Sequence, residues 1–167
     1  MPNAFISGTG FFLPPRVVTN DELSKYMDTT DEWIRERTGI QTRHFVEKGV
    51  GPSDLAIPAA EQALKAAELS VDDIDFMIFA TSTPDYYIPG SGCLLQEKMS
   101  FPNIGAFDIR NTCAGFIYGL SMADQYIKSG MFNNILLVYK IIVYTNNIYA
   151  KNIPFLSTSR TYRFSKG

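Results

Sequence analysis

The chain has 167 residues and a formal net charge of −2, and 46% of its residues are hydrophobic and 19% charged. This composition supports one globular domain with a substantial core and excludes a disordered chain. The small net charge predicts no nucleic-acid surface, and the longest apolar run, Ile135 to Tyr144, is interrupted by Lys140 and too short to span a membrane. With two cysteines and one histidine, we expect no metal site, and free thiols in a reducing cytoplasm.

The first predicted strand runs from Ala4 to Gly10 and ends in a glycine turn. Gly8 and Gly10 allow a dinucleotide-binding alternative, but no third glycine and no helix follow at the spacing that such a site requires. A short helix from Asp21 to Met27 comes next, with Asn20 as its predicted cap.

A second helix is predicted to begin after Thr30, its cap, and to end at Gly39. Trp33 and Arg37 lie four residues apart on it and therefore share one face. Two interpretations stay open: a core Trp beside a solvated Arg, or an aromatic plane and a guanidinium group that bind a base and a phosphate. His44, the only histidine, follows in a predicted loop, where a structural role competes with that of a catalytic base.

Helices and strands alternate through the middle of the chain. The predicted elements are a helix from Ser53 or Asp54 to Ala67, a strand at Asp75–Thr81, a helix at Cys93–Met99 and a strand at Ile104–Ile109. The first of these helices carries small residues on one face, at Ala56, Ala60, Ala63 and Ala67. Cys93 is expected in the core. This order predicts an α/β fold with a largely parallel sheet, whose carboxyl edge gathers functional residues.

Cys113 lies where the last of these strands turns into a further helix, which Gly130 ends. The apolar residues of that helix fall on one face, at Phe116, Leu120, Ala123 and Ile127. A helix N-terminus offers unpaired N–H groups and a positive dipole end, which favour a thiolate. Cys113 is therefore a candidate nucleophile, although a lone cysteine beside an apolar helix is more often a small core residue.

Five blocks of the sequence together carry a family resemblance. They are TNDEL (Thr19–Leu23), DTTDEWIRERTGIQTRH (Asp28–His44), ATSTPD (Ala80–Asp85), AFDIRNTCAGFIYGL (Ala106–Leu120) and ADQYIKSG (Ala123–Gly130). The chain resembles, from about Ala4 to Val138, the N-terminal half of the β-ketoacyl-[acyl-carrier-protein] synthase III family. The resemblance implies a thiolase-like fold, of which this chain forms a layered α/β/α half with a mostly parallel sheet.

The resemblance also implies an acyltransferase that starts fatty-acid synthesis by decarboxylative condensation of an acyl-CoA with malonyl-acyl-carrier protein. Cys113 attacks the thioester and carries the acyl group, and its backbone N–H forms half of an oxyanion hole. By match of position, Thr29, Trp33 and Arg37 bind CoA, and Ile88 lines the acyl pocket across the family's homodimer interface. The CoA thioester is a substrate, and no separate cofactor and no metal are implied.

Two departures from the family's pattern stand out. Thr112 replaces a small Ala that is common before the nucleophile, which leaves the primer open. After Val138 the family continues with Gly and an acidic residue, whereas residues 125–167 of this chain carry six Lys and Arg and no acidic residue. We therefore predict a thiolase-like half-domain at 1–138 and a divergent tail at 139–167. The tail is either out of frame or an edge strand to Tyr144 with a loose end.

The family's His and Asn, which assist decarboxylation, lie in a C-terminal half that the resemblance does not cover. We therefore expect this chain alone to be inactive in the complete condensation, with weak or no labelling of Cys113 by acetyl-CoA. Two alternatives stay open: a catalytically incomplete fragment or pseudo-enzyme that retains the fold, and a related thiolase-fold condensing enzyme of secondary metabolism.

Overall fold

The structure, a computed structural model, describes residues 3–142 and the backbone of residues 159–166. The strands in these ranges are β1 (Ala4–Phe12), β2 (Arg16–Thr19), β3 (Thr42–Phe45), β4 (Phe76–Ala80), β5 (Gly105–Ile109), β6 (Asn134–Tyr139) and β7 (Ser159–Lys166). The α-helices are α1 (Asn20–Leu23), α2 (Asp31–Thr38), α3 (Pro52–Ala66), α4 (Ser91–Lys98) and α5 (Gly115–Lys128), and a 3₁₀ turn spans Val71–Asp73.

A five-stranded sheet forms the centre of the fold, with strands in the order β1-β7-β6-β4-β5. Strand β4 pairs in parallel with both β5 and β6, while β7 runs antiparallel to β1 and β6. The parallel strands are joined by helices, as parallel neighbours require. The β4–β5 pair brings the carboxyl ends of these two strands to one edge of the sheet, where Ala80 lies opposite Ile109.

Helices cover both faces of the sheet, and the alternation of side chains along the strands creates two apolar layers. Met77 and Phe79 of β4 face one layer with residues of α3 and α4. Ile78, between them, faces the other layer with Ala123 and Ile127 of α5. All five side chains are fully buried. The predicted α/β/α layering is thereby confirmed.

Strand β1 and helix α3 approach each other closely because both present small residues. Ala56, Ala60 and Ala63 are fully buried, as the predicted small-residue face requires. A Cβ atom on Gly8 would lie 2.2 Å from the backbone oxygen of Ala63, and one on Gly10 would lie 2.0 Å from that of Ala59. Because α3 occupies the space beside both glycines, the dinucleotide-binding alternative is wrong.

Replacing Gly10 by Ala is expected to lower the free energy of unfolding by about 2 kcal/mol, since the added methyl group must displace the α3 backbone. Urea unfolding followed by far-UV circular dichroism measures this change. Gly115→Ala is the matched control, because a Cβ there would meet its nearest neighbours at an ordinary 3.4 Å. A Gly10→Ala variant as stable as the control variant would contradict this account of the packing.

The N-terminal region differs from the prediction at two points. Thr19, rather than Asn20, caps α1, because its hydroxyl accepts the Glu22 N–H. Asn20 is buried inside the helix, and α1 ends at Leu23 instead of Met27. Strands β2 and β3 form a separate antiparallel pair, and His44 lies in β3 rather than in the predicted loop. The cap at Thr30 and the left-handed Gly39 that ends α2 are confirmed.

Helix α4 and the strands at the end of the chain also differ from the prediction. Helix α4 begins at Ser91, and Cys93 on it is exposed rather than in the core. Strand β6 ends at Tyr139, short of the predicted Tyr144, which lies outside the described residues. Strand β7, in the predicted tail, pairs between β1 and β6 inside the sheet. The division of the chain at residue 138 stays a prediction.

Candidate active site

Cys113 lies in the turn between β5 and α5, two residues before the helix begins. The turn is closed by the Gly115 N–H, which donates to the Thr112 carbonyl at 2.8 Å, and by the Asn111 side chain, which accepts the Thr112 N–H at 2.8 Å. The cap residue Ala114 makes no side-chain capping bond. The thiol is exposed. A small core cysteine would be buried, so the alternative of a core residue is wrong for Cys113.

The end of β6 adds an aromatic residue to this turn. Tyr139 pairs with Ala80 in the sheet, and a Cβ on Gly115 would lie 3.4 Å from the Ala80 side chain. The Tyr139 ring packs edge-on against Phe116, 6.2 Å between centroids. Burial raises the pKa of the Tyr139 hydroxyl, and the charge of Cys113 raises it further. Tyr139 is a neighbour of the thiol that the sequence pattern did not suggest, because it comes from a strand 26 residues further along the chain.

A second group of polar and aromatic residues lies at helix α2. The Arg37 guanidinium carbon lies 5.0 Å from the centroid of the Trp33 ring, within the range of a cation–π contact. Trp33 is 42% exposed, so the alternative of a core Trp is wrong. Thr29, two residues before α2, has a buried hydroxyl oxygen without a hydrogen-bond partner in the described part of the chain.

A buried polar network fixes α2 against the β2–β3 pair. Asn20 donates to the Asp31 carboxylate at 2.6 Å and to the Ile40 carbonyl at 2.9 Å. Arg43, which is buried, donates to the Asn20 side-chain oxygen and to the Val18 carbonyl. The hydrogen bond from Asn20 lowers the pKa of Asp31. Asn20 thus bonds to residues at both ends of α2 and thereby sets the orientation of the exposed face of this helix.

Ile88 lies in the loop between β4 and α4 and is 87% exposed. Arg110, three residues before Cys113, donates to the carbonyl oxygens of Tyr86 and Tyr87 in that loop. The structure therefore brings the loop of Ile88 and the turn of Cys113 together, whereas Thr29, Trp33 and Arg37 form a separate group at α2. A charged residue directly after an apolar strand was the available sequence signal for Arg110.

His44, the other candidate catalytic residue, makes contacts that hold the small sheet together. A ring nitrogen of His44 lies 2.5 Å from the Pro14 carbonyl oxygen, and His44 pairs with Val17 in the small sheet. These contacts favour the structural role.

Within residues 3–142, no group of three or more His, Cys, Asp and Glu side chains could hold a metal ion. No helix in the described ranges is long and apolar enough to cross a membrane.

Comparison with known proteins connects this geometry to one family. The family model for 3-oxoacyl-[acyl-carrier-protein] synthase III matches residues 107–143, which include the Cys113 turn. The chain is 48% identical over 134 residues to a β-ketoacyl-[acyl-carrier-protein] synthase III of Thiobacillus denitrificans, covering 80% of this chain and 42% of that protein.

Solved structures agree in fold. The 3-oxoacyl-[acyl-carrier-protein] synthase III of Aquifex aeolicus superposes with a TM-score of 0.87 at 34% identity, covering 100% of this chain and 54% of that one. The priming β-ketosynthase of the R1128 polyketide pathway superposes with a TM-score of 0.92 at 26% identity, covering 99% and 50%. The thiolase-like fold is thereby confirmed, and this chain spans about two fifths of the length of the curated relatives it matches.

Proposed function

Since this chain belongs to the β-ketoacyl-[acyl-carrier-protein] synthase III family, we propose that Cys113 takes an acyl group from an acyl-CoA as the first step of a condensation that starts fatty-acid synthesis. The supporting observation is the exposed thiol in the turn that leads into α5, at the carboxyl edge of the parallel strands. Open sheets of this kind place their ligands at that edge. The second substrate is malonyl-acyl-carrier protein, and no separate cofactor takes part.

In the proposed step, the Cys113 sulfur attacks the thioester carbonyl carbon. The bond between that carbon and the CoA sulfur breaks, CoA leaves as a thiol, and the acyl group stays on Cys113 as a new thioester. The backbone N–H of Cys113 is proposed to form half of the oxyanion hole and to donate a hydrogen bond to the developing oxyanion. A carbanion formed from the malonyl group by loss of carbon dioxide then attacks the acyl carbon, the bond of that carbon to the Cys113 sulfur breaks, and the free thiol of Cys113 is restored.

The α2 group is proposed to bind CoA. The exposed Trp33 ring offers a stacking surface for the adenine, and Arg37 beside it offers a cation for the phosphates. The buried Thr29 hydroxyl, which lacks a partner in the described residues, supports a polar contact with the ligand.

CoA is expected to quench the fluorescence of Trp33, which is the only tryptophan in the chain and therefore reports directly from this group. Arg37→Ala is expected to weaken CoA binding about tenfold, because a charge-assisted hydrogen bond contributes about 1.5 kcal/mol. Fluorescence titration with CoA measures both. Arg35→Ala is the matched control, since Arg35 lies on the same helix but pairs with Asp31. Equal losses in the two variants would contradict the assignment of Arg37.

Ile88 is proposed to line the acyl pocket. It is exposed at the tip of a loop that is held beside the Cys113 turn, and two exposed tyrosines precede it. Such an apolar surface is suited to burial against a second copy of the chain, as in the family's homodimer. The protein is proposed to work in the cytoplasm, where its two free cysteines stay reduced.

The complete condensation is proposed to need groups beyond these 167 residues. A catalytic His and Asn assist decarboxylation in the family, whereas the only histidine here, His44, is held by Pro14 in the small sheet. We therefore expect acetyl-CoA to release at most one CoA per chain, slowly, and malonyl-acyl-carrier protein to yield no product. Free thiol release and mass spectrometry of the carrier protein measure these two results. Absence of any CoA release would contradict the proposed acyl transfer to Cys113. Steady formation of the condensation product would contradict the proposal that this chain lacks groups needed for the complete reaction.

A related condensing enzyme of secondary metabolism is the second candidate. The similarity to the R1128 priming β-ketosynthase and the polar Thr112 before the nucleophile favour it. A panel of acyl-CoA primers distinguishes the two: preference for acetyl-CoA supports fatty-acid initiation, and preference for a longer primer supports the alternative.

The tail at 139–167 is proposed to diverge from the family because of a shift in reading frame, a proposal that rests on its lack of acidic residues. Translation of the coding DNA in the other two frames tests it. A Gly-acidic continuation followed by His and Asn motifs supports the proposal, and their absence from both frames overturns it.

A further inference from the structure

The loop between β4 and α4, Thr81 to Gly90, is exposed at its tip and held at its base. Tyr87 is 91% exposed and Ile88 is 87% exposed. At the base, the Asp85 carboxylate accepts the hydroxyl of Ser53 at 2.8 Å. Because the apolar tip is not buried, polar contacts such as this one hold the loop in position.

Asp108 of strand β5 also holds the loop, at the end that leads into α4. Its carboxylate accepts the N–H groups of Ser91 and Gly92 at 2.8 and 2.9 Å, where α4 begins directly after the loop. The Asp108 side chain is only 7% exposed. It therefore fixes the C-terminal end of the loop to strand β5, two residues before Arg110.

Arg110 is the contact that joins the loop to the turn of the thiol. Its Nη2 atom lies 3.4 Å from the Tyr86 carbonyl oxygen and 3.3 Å from that of Tyr87. Its guanidinium carbon lies 5.7 Å from the centre of the Tyr87 ring, and Nη2 lies 3.5 Å from the Asp108 carboxylate. One planar group thus contacts two loop carbonyls, one loop ring and one buried carboxylate.

We propose that Arg110 is a positioning residue that holds the Tyr86–Ile88 segment beside the Cys113 turn and thereby sets which acyl chains Cys113 accepts. The second half of this inference rests on the proposed roles of Cys113 and Ile88. An arginine suits the position because its long, planar side chain places Nη2 beside both loop carbonyls while the guanidinium group lies over the Tyr87 ring. A lysine at 110 would keep the charge, but its side chain is one atom shorter and has no planar group to lie over the Tyr87 ring.

Limited proteolysis with chymotrypsin tests the positioning, because this protease cleaves after exposed tyrosines and needs a mobile segment. Cleavage after Tyr86 and Tyr87 is expected to be about tenfold faster in Arg110→Ala than in the wild-type chain, since loss of the charged donor raises the open population by that factor. Arg110→Lys is expected to behave like the Ala variant. Arg16→Ala is the matched control, because Arg16 also forms an ion pair, with Glu22, and lies over a ring, that of Phe45.

The second measurement is the ratio of hexanoyl to acetyl transfer onto Cys113, followed by mass spectrometry in the same variants. This ratio is expected to change at least threefold in Arg110→Ala and Arg110→Lys and to stay unchanged in Arg16→Ala. Cleavage rates equal to those of the control would overturn the positioning role. Faster cleavage with an unchanged ratio would overturn the role in selectivity. Failure of the wild-type chain to transfer either group would instead reject the proposed function, and the proteolysis result would still decide the positioning role.

Discussion

Replacing Cys113 by Ala is expected to abolish the release of CoA from acetyl-CoA. In the proposed step the Cys113 sulfur forms the new thioester, and no other side chain of the β5–α5 turn is a comparable nucleophile near neutral pH. The variant should fold normally, because the side chain is exposed and truncation of an exposed residue changes stability by less than about 0.5 kcal/mol. Thiol release, corrected for spontaneous hydrolysis, measures the loss.

The matched control for this experiment lies in the same chain. Cys93 is also free and exposed, but it lies in the first turn of α4 rather than in the turn that precedes α5. Cys93→Ala should therefore release CoA at the wild-type rate. Equal activity of Cys113→Ala and wild type, or loss of activity in the Cys93 variant, would show that the nucleophile has been assigned to the wrong residue.

The stability gained by replacing Lys140 with Met is expected to be about 3 kcal/mol larger at pH 7 than above pH 10.5. Lys140 follows β6 and is completely buried, and burial lowers the pKa of its amine from 10.5 to about 8. A shift of that size corresponds to about 3 kcal/mol that the charged form costs in the folded state. Met has a similar volume and no charge, so it removes this cost.

The stability difference between Lys140→Met and wild type should depend on pH in a defined direction. Between pH 8 and 10.5 the unfolded chain binds more protons than the folded chain, so wild-type stability rises with pH. The advantage of the Met variant is therefore largest below about pH 8 and falls by about 3 kcal/mol towards pH 10.5. Urea unfolding across this range measures it, with Lys65→Met on the exposed face of α3 as the control. A difference that is constant with pH would contradict burial of the charged amine as its cause.

The layers of the fold could be predicted from the sequence because they follow from local patterns. The apolar run of β4 indicates a buried strand, and the face of α5 with Ala123 and Ile127 indicates a buried helix face. Neither prediction requires knowledge of the element that packs against it. Thr30 and Gly39 likewise fix the ends of α2 through bonds to near neighbours in the chain.

Local patterns do not predict the structure where residues distant in the chain determine it. Asn20 was predicted as a cap, but Asp31, Ile40 and Arg43 bind its side chain and draw it into the interior. Its neighbour Thr19 then caps α1. The β2–β3 pair joins segments 25 residues or so apart, which no local periodicity reveals.

In the candidate site, too, features that depend on neighbouring residues could be predicted and those that depend on distant residues could not. The position of Cys113 before α5 and the contact of Trp33 with Arg37 could be predicted because each depends on adjacent residues, a strand-to-helix turn in one case and a helical spacing in the other. The positions of Tyr139 and Arg110 could not be predicted, because they depend on the order of strands in the sheet and on the path of the β4–α4 loop, which only the folded chain specifies.

The most direct measurement of the central claim is the location of the acetyl group after incubation with acetyl-CoA. Trypsin separates the two cysteines, because Cys113 falls in the peptide 111–128 and Cys93 in the peptide 66–98. Peptide mass spectrometry is expected to find slow, partial acetylation of the thiol in 111–128 and an unmodified thiol in 66–98. Acetylation of Cys93, or no acetylation of Cys113 while iodoacetamide still alkylates it, would contradict the claim that Cys113 accepts the acyl group.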